Sequence, residues 1–284
     1  MKIKKNKKNI KTLIQDIYGL IDTGTVELNT DNIDQFLDTI KFEVTRFLEP
    51  YEGERKTLRL SAVGREDRKL WYEINDPIKR KEEPQQRLRF FYGNLIEALL
   101  LFLAQESGHN VTDQQKEVKL EGITGHIDAV IDGVLVDVKS ASDYGFKKFK
   151  EGAILHDDPF GYIGQISSYM EALGLDTGAF FAFNKNSAEL TLLEIDDMMT
   201  INASERIKHL KKILKEDIPE KCYDPVPYGS SGNMVLSKNC SFCRYKDKCW
   251  EDANGGRGLR AFKYSQSIKH FTKIVVEPKV DEIW

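Results

Sequence analysis

The alternation of residue types between positions 125 and 139 constrains this chain more than any other feature. The stretch Gly125-His126-Ile127-Asp128-Ala129-Val130-Ile131-Asp132-Gly133-Val134-Leu135-Val136-Asp137-Val138-Lys139 reads as two antiparallel strands joined at Asp132-Gly133. A two-residue type I′ turn needs positive φ at both central positions, and Asp-Gly tolerates that. Counting outward pairs Ile131 with Val134, Ala129 with Val136, Asp128 with Asp137, Ile127 with Val138 and His126 with Lys139. Opposed residues project to the same face. One face is then Ile127, Ala129, Ile131, Val134, Val136 and Val138, all apolar, and the other carries His126, Asp128, Asp137 and Lys139. A slip of one residue would mix the two sets, so the pattern specifies the register.

That register brings two carboxylates roughly 5 Å apart at Cβ, a like-charge pair that costs free energy. A hard divalent cation such as Mg²⁺ or Mn²⁺, which prefers oxygen ligands, removes the cost. A metal there polarises a phosphoryl oxygen and lowers the pKa of a bound water. Lys139 on the same face would stabilise charge developing in the transition state. These groups suit phosphodiester hydrolysis. Taken alone, the segment equally fits a solvent-facing strand.

The flanking sequence supplies helices. From Asp31 to Glu49, Ile33, Phe36, Leu37, Ile40, Val44, Phe47 and Leu48 recur at spacings of three and four. Thr30 is the expected cap and Pro50 the stop. Ser61 is a candidate N-cap for a second helix through Leu70, Trp71 and Tyr72, and a third runs from Pro84 to about Gln105. Strands are expected at Glu117–Leu120, Ile123–Ile131 and Val134–Lys139. A helix over Phe160–Leu173, strands at Ala179–Phe183 and Leu190–Ile195, and a helix around Glu205–Leu214 follow. This order predicts an α/β core with a mixed sheet. Three segments are expected: a basic, helical region at 1–60, a core at 61–220, and a Cys-bearing, loop-rich module at 221–284.

Composition bounds the class. The 284 residues carry 42 Lys plus Arg against 45 Asp plus Glu, a net charge of −3 that argues against a general nucleic-acid-coating protein. The distribution is uneven. Residues 1–11 hold six Lys and no acid, and residues 238–273 hold nine basic residues against three acidic ones. No run approaches the ~18 apolar residues of a membrane span, and no apolar stretch follows the basic start as in a secretory signal. A cytoplasmic location without membrane attachment is the expectation.

All four cysteines, Cys222, Cys240, Cys243 and Cys249, lie late in the chain, the last three as C-x₂-C-x₅-C. In a reducing compartment clustered Cys read as metal ligands. Four thiolates satisfy either Zn²⁺ or a 4Fe-4S cluster. Around them stand Arg244, Lys246, Lys248, Trp250, Arg257, Arg260 and Lys263, interleaved with Tyr245, Phe262 and Tyr264. Cations for phosphates and rings for bases suit single-stranded or frayed DNA, and a solvated surface would read the same way.

Four elements in order resemble the PD-(D/E)XK nuclease superfamily, in particular its RecB-like branch: Gly93-Asn94-Leu95-Ile96-Glu97, Gly125-His126-Ile127-Asp128, Asp137-Val138-Lys139, and Gln165-Ile166-Ser167-Ser168-Tyr169. The resemblance covers roughly residues 61–195 and implies a restriction-endonuclease-like core, a mixed sheet flanked by helices. It implies Glu97, Asp128, Asp137 and the Val138 carbonyl as ligands of Mg²⁺ or Mn²⁺, Lys139 as the catalytic lysine, and Gln165 and Tyr169 as positioning residues. Many members carry His where Glu97 stands. The Cys triplet is similar to the iron–sulfur staple of RecB-like nucleases, including CRISPR-associated ones. There the fourth Cys usually precedes an Arg-rich, Trp-containing helix. Here that place is Arg65–Tyr72, without a Cys, leaving Cys222 as the substitute.

The resemblance implies a metal-dependent DNA nuclease, with end resection or degradation of the phage-exonuclease kind favoured. Alternatives are a structure-specific or restriction-type endonuclease and an inactive DNA-binding accessory protein. No G-x-x-x-x-G-K-[ST] loop occurs, so ATP-driven translocation would need a helicase or recombination partner.

Overall fold

The computed structural model describes residues 8–24, 27–49, 57–78 and 83–283. Most of the Lys-rich start and the expected stop at Pro50 lie outside the described residues. The chain divides into two compact units, Met1–Gly64 with Lys79–His209, and Arg65–Ile78 with Leu210–Trp284. The segment Arg65–Ile78 thus belongs with the C-terminal residues, not with the expected 61–220 core.

The first unit begins with α1 (Leu13–Thr23) and α2 (Thr30–Leu48). Asn29, not Thr30, caps α2, its Oδ1 accepting from the amides of Asp31 and Asn32. Ser61 caps no helix. It lies in a single 3₁₀ turn, Leu60–Ala62, and the next helix, α3 (Asp67–Asn75), has Glu66 at its N-cap position. The long helix α4 spans Pro84–Glu106, with Pro in its first turn where a missing N–H costs nothing.

The sheet residues follow: β1 (Val111–Thr112), β2 (Glu117–Leu120), β3 (Ile123–His126), β4 (Ala129–Ile131) and β5 (Val134–Ala141). Then come α5 (Asp143–Lys150), α6 (Tyr162–Leu173), β6 (Thr177–Asn184), β7 (Leu190–Asp196) and α7 (Ala203–Ile213). The central sheet has the order β1-β4-β5-β6-β7. Only β5 and β6 run parallel; the other neighbours are antiparallel. The expected mixed α/β sheet is therefore present. A parallel pair requires a crossover, and α5 and α6 supply it.

The Asp132-Gly133 turn forms as predicted, with φ of 52° and 87°. The register holds over three pairs, Ala129 with Val136, Val130 with Leu135 and Ile131 with Val134, and ends there: Asp128 and Ile127 lie outside β4 and do not form the expected strand pairs with Asp137 and Val138. The expected single strand Ile123–Ile131 does not form. Its first half, β3, pairs with β2 in a separate two-stranded sheet. His126 consequently opposes Glu117 and is exposed, not facing Lys139. The break is at Ile127-Asp128, where the Ile127 amide donates to the Lys116 carbonyl and the Asp128 side chain takes the Val138 amide.

One face of the central sheet packs against α1 and α4. Leu13, Ile17, Ile96, Leu100, Leu101, Ile131, Val136, Val138 and Phe181 form one buried cluster, each large side chain contributing about 1.5–3 kcal/mol on burial. Among the described residues α4 is the one helix whose length and composition suit a membrane span; Ile96, Leu100, Leu101 and Ala104 bury its sheet-facing side. The opposite face holds Phe180, against which Phe149 and Tyr162 pack with ring centroids at 5.4 and 6.3 Å. At the start of α6 a Cβ on Gly164 would stand 2.3 Å from the Gly64 Cα, so only glycine permits this backbone approach.

The second unit is not loop-rich. It contains an antiparallel sheet of β8 (Val226–Tyr228), β9 (Asn233–Val235), β10 (Arg260–Lys263), β11 (Ile268–Lys273) and β12 (Glu282–Ile283), in the order β12-β10-β11-β9-β8. Val235, Phe262 and Phe271 form one small core, and Leu236, Trp250 and Ala253 another, with Cys240 and Cys249 against it. Helix α3 is tied in by side chains: Trp71 Nε1 donates to the Glu216 carbonyl at 3.0 Å, and Arg68 donates to the Pro219 carbonyl at 2.5 Å. Tyr72 stacks on Tyr245 at 5.2 Å.

Candidate active site and cysteine cluster

Strand alternation turns Val136 and Val138 into the apolar core and leaves Asp137 and Lys139 on the other face of β5. Asp137 is nonetheless 1% exposed, because α6 covers it. Lys139 Nζ makes an ion pair with Asp137 Oδ2 and lies 4.8 Å from the Tyr162 ring centroid. Gln165, one turn into α6, donates from Nε2 to Asp137 Oδ1 at 2.9 Å. Asp128, at the break between β3 and β4, accepts the Val138 amide proton on Oδ2 at 2.7 Å. Two of the sequence-predicted residues are thus locked on a third by direct hydrogen bonds or ion pairing.

Glu97 comes from the middle of α4. Its carboxylate interacts electrostatically with Asp137 and Asp128. Burial, opposed by a hydrogen bond from Gln115 and reinforced by the charge of Asp137, pushes Glu97 up to about 7. Burial, with Glu97 and Asp137 beside it, also holds Asp128 well above the carboxylate range. Burial alone would depress the Lys139 ammonium, but Asp137 and Asp128 hold it above the ordinary lysine range. Tyr169 reaches the same cluster, interacting with Asp137, Asp128 and Gln165, and burial raises its phenol. Gly125 makes room for it: a Cβ there would stand 2.7 Å from Tyr169 Cε1. All six side chains expected from the sequence therefore meet at one place.

Burial raises both Glu97 and Asp128, and one lysine cannot balance three partly buried carboxylates, so neighbouring charge adds to the rise. By donor chemistry, hard oxygens in surplus negative charge, Glu97, Asp128 and Asp137 fit a hard divalent cation. Their oxygens are engaged by Gln115, Val138, Gln165 and Lys139, and among the described residues no three carboxylates, His or Cys converge as a ready coordination group.

Sequence reasoning missed Gln115 and Tyr162. Gln115 Nε2 donates to Glu97 Oε1 at 2.5 Å, and its amide donates to the Asp128 carbonyl at 3.1 Å. It does so from a left-handed backbone, φ 53°, uncommon for a residue with a side chain. A lone Gln in a turn carries no sequence signal for such a role. Tyr162 was legible only as the start of a helix.

In the second unit, Cys249 interacts electrostatically with each of Cys222, Cys240 and Cys243. Burial pushes the Cys222 thiol up to about 11 and raises Cys240 and Cys243 as well. Cys222 accepts hydrogen bonds from the Arg68 and Lys69 amides, at the amino end of α3. The four sulfurs fit a soft metal by donor type, and among the described residues they are not gathered as a coordination group.

The basic residues around them are partly committed. Lys248 pairs with Asp76, and Arg260 donates to Glu282 at 2.8 Å and Glu277 at 3.1 Å. Of the rings around the cysteines, Tyr245, Trp250 and Phe262 are buried, Tyr264 is partly buried, and Phe242 is exposed. A cleft of 780 Å³, lined by Lys221, Trp250, Asn254, Arg257 and Lys273 among others, lies in this unit. Arg257 and Lys273 are exposed in it and, among the described residues, have no acidic partner.

No family model matches the chain, and no curated protein is significantly similar to it. Among solved structures, the chain is similar to SSO0001 at 15% identity and a TM-score of 0.41, over 75% of this chain and 94% of that one. It is similar to an alkaline exonuclease from Laribacter hongkongensis at 16% identity and a TM-score of 0.39, over 57% of this chain and 90% of that one. A phage-related exonuclease from Haemophilus somnus 129PT stands at 16% and 0.39, over 56% and 90%.

Proposed function

We propose that this chain is a divalent-metal-dependent deoxyribonuclease of the RecB-like PD-(D/E)XK kind that hydrolyses phosphodiester bonds at DNA ends, in recombination, repair or DNA degradation. The observation that carries this reading is the meeting of Glu97, Asp128, Asp137, Lys139, Gln165 and Tyr169, drawn from α4, the β3–β4 break, β5 and α6. Mg²⁺ or Mn²⁺ held by Glu97, Asp128 and Asp137, with the Val138 carbonyl as a further ligand, would polarise the phosphoryl oxygen and acidify a bound water.

The chain's own groups do the rest. Lys139 stays cationic at any working pH and stabilises negative charge growing on the phosphate. Gln165 fixes the orientation of Asp137 by holding one of its oxygens. Tyr169 packs against Gly125 and closes the site from the side of β3.

In the second unit, the proposed metal group is a 4Fe-4S cluster on Cys222, Cys240, Cys243 and Cys249, with Zn²⁺ as the alternative. The position of Cys222 beside the amino end of α3 supports it as fourth ligand. The cleft with Arg257 and Lys273 is the proposed path of a DNA strand. The reading places the protein in the cytoplasm, with any helicase or recombination partner supplied in trans.

Purified wild type, Asp137→Ala and Lys139→Ala proteins, incubated with Mn²⁺ and end-labelled linear DNA, test the nuclease. Degradation of linear DNA by the wild type alone is expected. Full activity in both variants overturns the site, and equal cutting of covalently closed circles makes the enzyme an endonuclease. A colourless anaerobic preparation with stoichiometric zinc excludes the iron–sulfur cluster.

A further inference from the structure

Phe160 is 62% exposed, although it lies two residues from the ring that contacts Lys139. Its ring stacks on Tyr162 with centroids 5.4 Å apart and planes at 27°. Tyr162 in turn packs on Phe149 and Phe180, both buried in the core, and lies 4.8 Å from Lys139 Nζ. A continuous aromatic stack therefore runs from the hydrophobic core, past the lysine, to a ring whose outer side is open.

The turn that carries Phe160 is pre-ordered. The Asp158 carboxylate accepts three amide protons, from Phe160 at 3.3 Å, Gly161 at 2.9 Å and Ile163 at 2.8 Å. Gly161 follows in the left-handed region, φ 77°, and a Cβ on Gly64 would stand 2.2 Å from its carbonyl oxygen. Neither the turn nor the ring beneath can yield easily, so the exposed ring loses little freedom when something stacks on it. A single exposed aromatic is ordinary on a protein surface. One held in this way, on a ring that touches the lysine of the candidate site, is not.

We infer that Phe160 is a base-stacking platform: it takes the nucleobase next to the scissile phosphate on its open face and so sets the strand's position over Lys139. The inference rests on the nuclease reading for what the site contains. The ligand class follows from chemistry. Every base has a π-face, so stacking holds a nucleic acid strand without selecting its sequence. An offset-stacked partner suits the geometry that Phe160 already adopts with Tyr162. In the second unit Tyr245, Trp250 and Phe262 are buried, and the exposed Phe242, between Cys240 and Cys243, has no ring stacked beneath it among the described residues.

The test is binding of a short single-stranded oligonucleotide with 2-aminopurine at successive positions from one end, in Ca²⁺ so that it stays intact. Wild type should quench one position, Phe160→Trp should keep the quench, and Phe160→Leu should lose it. An abasic sugar at that position should weaken wild-type binding about tenfold or more and leave Phe160→Leu unaffected. No position-specific quench in the wild type, an unchanged quench in Phe160→Leu, or an equal abasic penalty in both proteins overturns the inference. Cleavage of linear DNA in Mn²⁺, measured on the same preparations, separates the two readings. Cleavage with an unchanged quench sinks only the stacking platform. A quench that depends on Phe160 in a protein that cuts no DNA supports the platform and counts against the nuclease.

Discussion

Replacing Glu97 by Gln should stabilise the metal-free protein at alkaline pH, although it removes a proposed metal ligand. The carboxyl ionises near 4.5 in an unfolded chain and near 7 in the folded one, because it is buried beside Asp137. Its folded pKa lies above its unfolded pKa, so folding favours the protonated form. The stability that this proton supports is complete below pH 4.5 and is lost as pH rises through 7. A shift of that size corresponds to about 3 kcal/mol at pH 8. A Gln side chain never ionises, and its carbonyl can still accept from Gln115 Nε2, which now donates to Glu97 at 2.5 Å. In EDTA, urea unfolding should therefore give Glu97→Gln an advantage of up to about 3 kcal/mol at pH 8, shrinking to almost nothing near pH 4.5. With Mn²⁺ at about a hundred times its dissociation constant, the wild type should recover about 2.7 kcal/mol through binding, and the variant much less. If Glu97→Gln is the less stable protein in EDTA at pH 8, or if its advantage does not change with pH, the charge-surplus account of the site is wrong.

Gln115→Ala should weaken Mn²⁺ binding, read by calorimetry, by about tenfold, because Glu97 loses its 2.5 Å hydrogen bond and a group that orients a ligand commonly carries that much affinity; an unchanged affinity would make Gln115 a turn residue only. Gly164→Ala should destabilise the first unit by at least about 1–3 kcal/mol in thermal or urea unfolding, since its Cβ would stand 2.3 Å from the Gly64 backbone; a variant as stable as the wild type would show that the two backbones can separate freely. Arg257→Glu with Lys273→Glu should weaken DNA binding and flatten its salt dependence, by about one unit of slope for each phosphate that is no longer neutralised, whereas Arg260→Glu should act mainly on folding because Glu277 and Glu282 already hold it; equal salt slopes in wild type and double variant would remove the cleft from the DNA path.

The hairpin was legible because period-two alternation and the Asp-Gly turn are local. Register, turn and the burial of Ala129, Ile131 and Val136 all follow from residues within a short stretch. The helices α4 and α6 were legible too, their expected bounds lying within two residues of the observed Pro84–Glu106 and Tyr162–Leu173. The order Glu97, Asp128, Asp137-x-Lys139, Gln165-x₃-Tyr169 named the candidate site before any coordinates did. The strand break at Ile127-Asp128 was not legible. Both halves alternate correctly, and only in the fold does the Ile127 amide donate to the Lys116 carbonyl and the Val138 amide to the Asp128 side chain, where β3 turns away into its own sheet. The pairing of β5 with β6 was equally hidden, because a parallel ladder joins residues separated by two helices.

Charge was the poorest guide from sequence and the most informative in three dimensions. A net of −3 says nothing about where three carboxylates lose their water, whereas the fold brings Glu97, Asp128 and Asp137 within electrostatic reach of one another and shifts two of them. Likewise, counting basic residues at 238–273 could not separate Arg260, spent on Glu277 and Glu282, from Arg257, which is exposed. Nor could residue type tell the rings of Tyr245 and Phe262, buried in small cores, from Phe160, left open beside Lys139. The sequence by itself determined the Asp132-Gly133 turn with the strand pairs next to it, the helices α4 and α6, and which chemical groups the chain carries, because those depend on neighbours a few positions away. Tertiary structure alone decided which charges lie close, which are buried and which rings face water, because solvation and Coulomb energy depend on distance in space and not on distance along the chain.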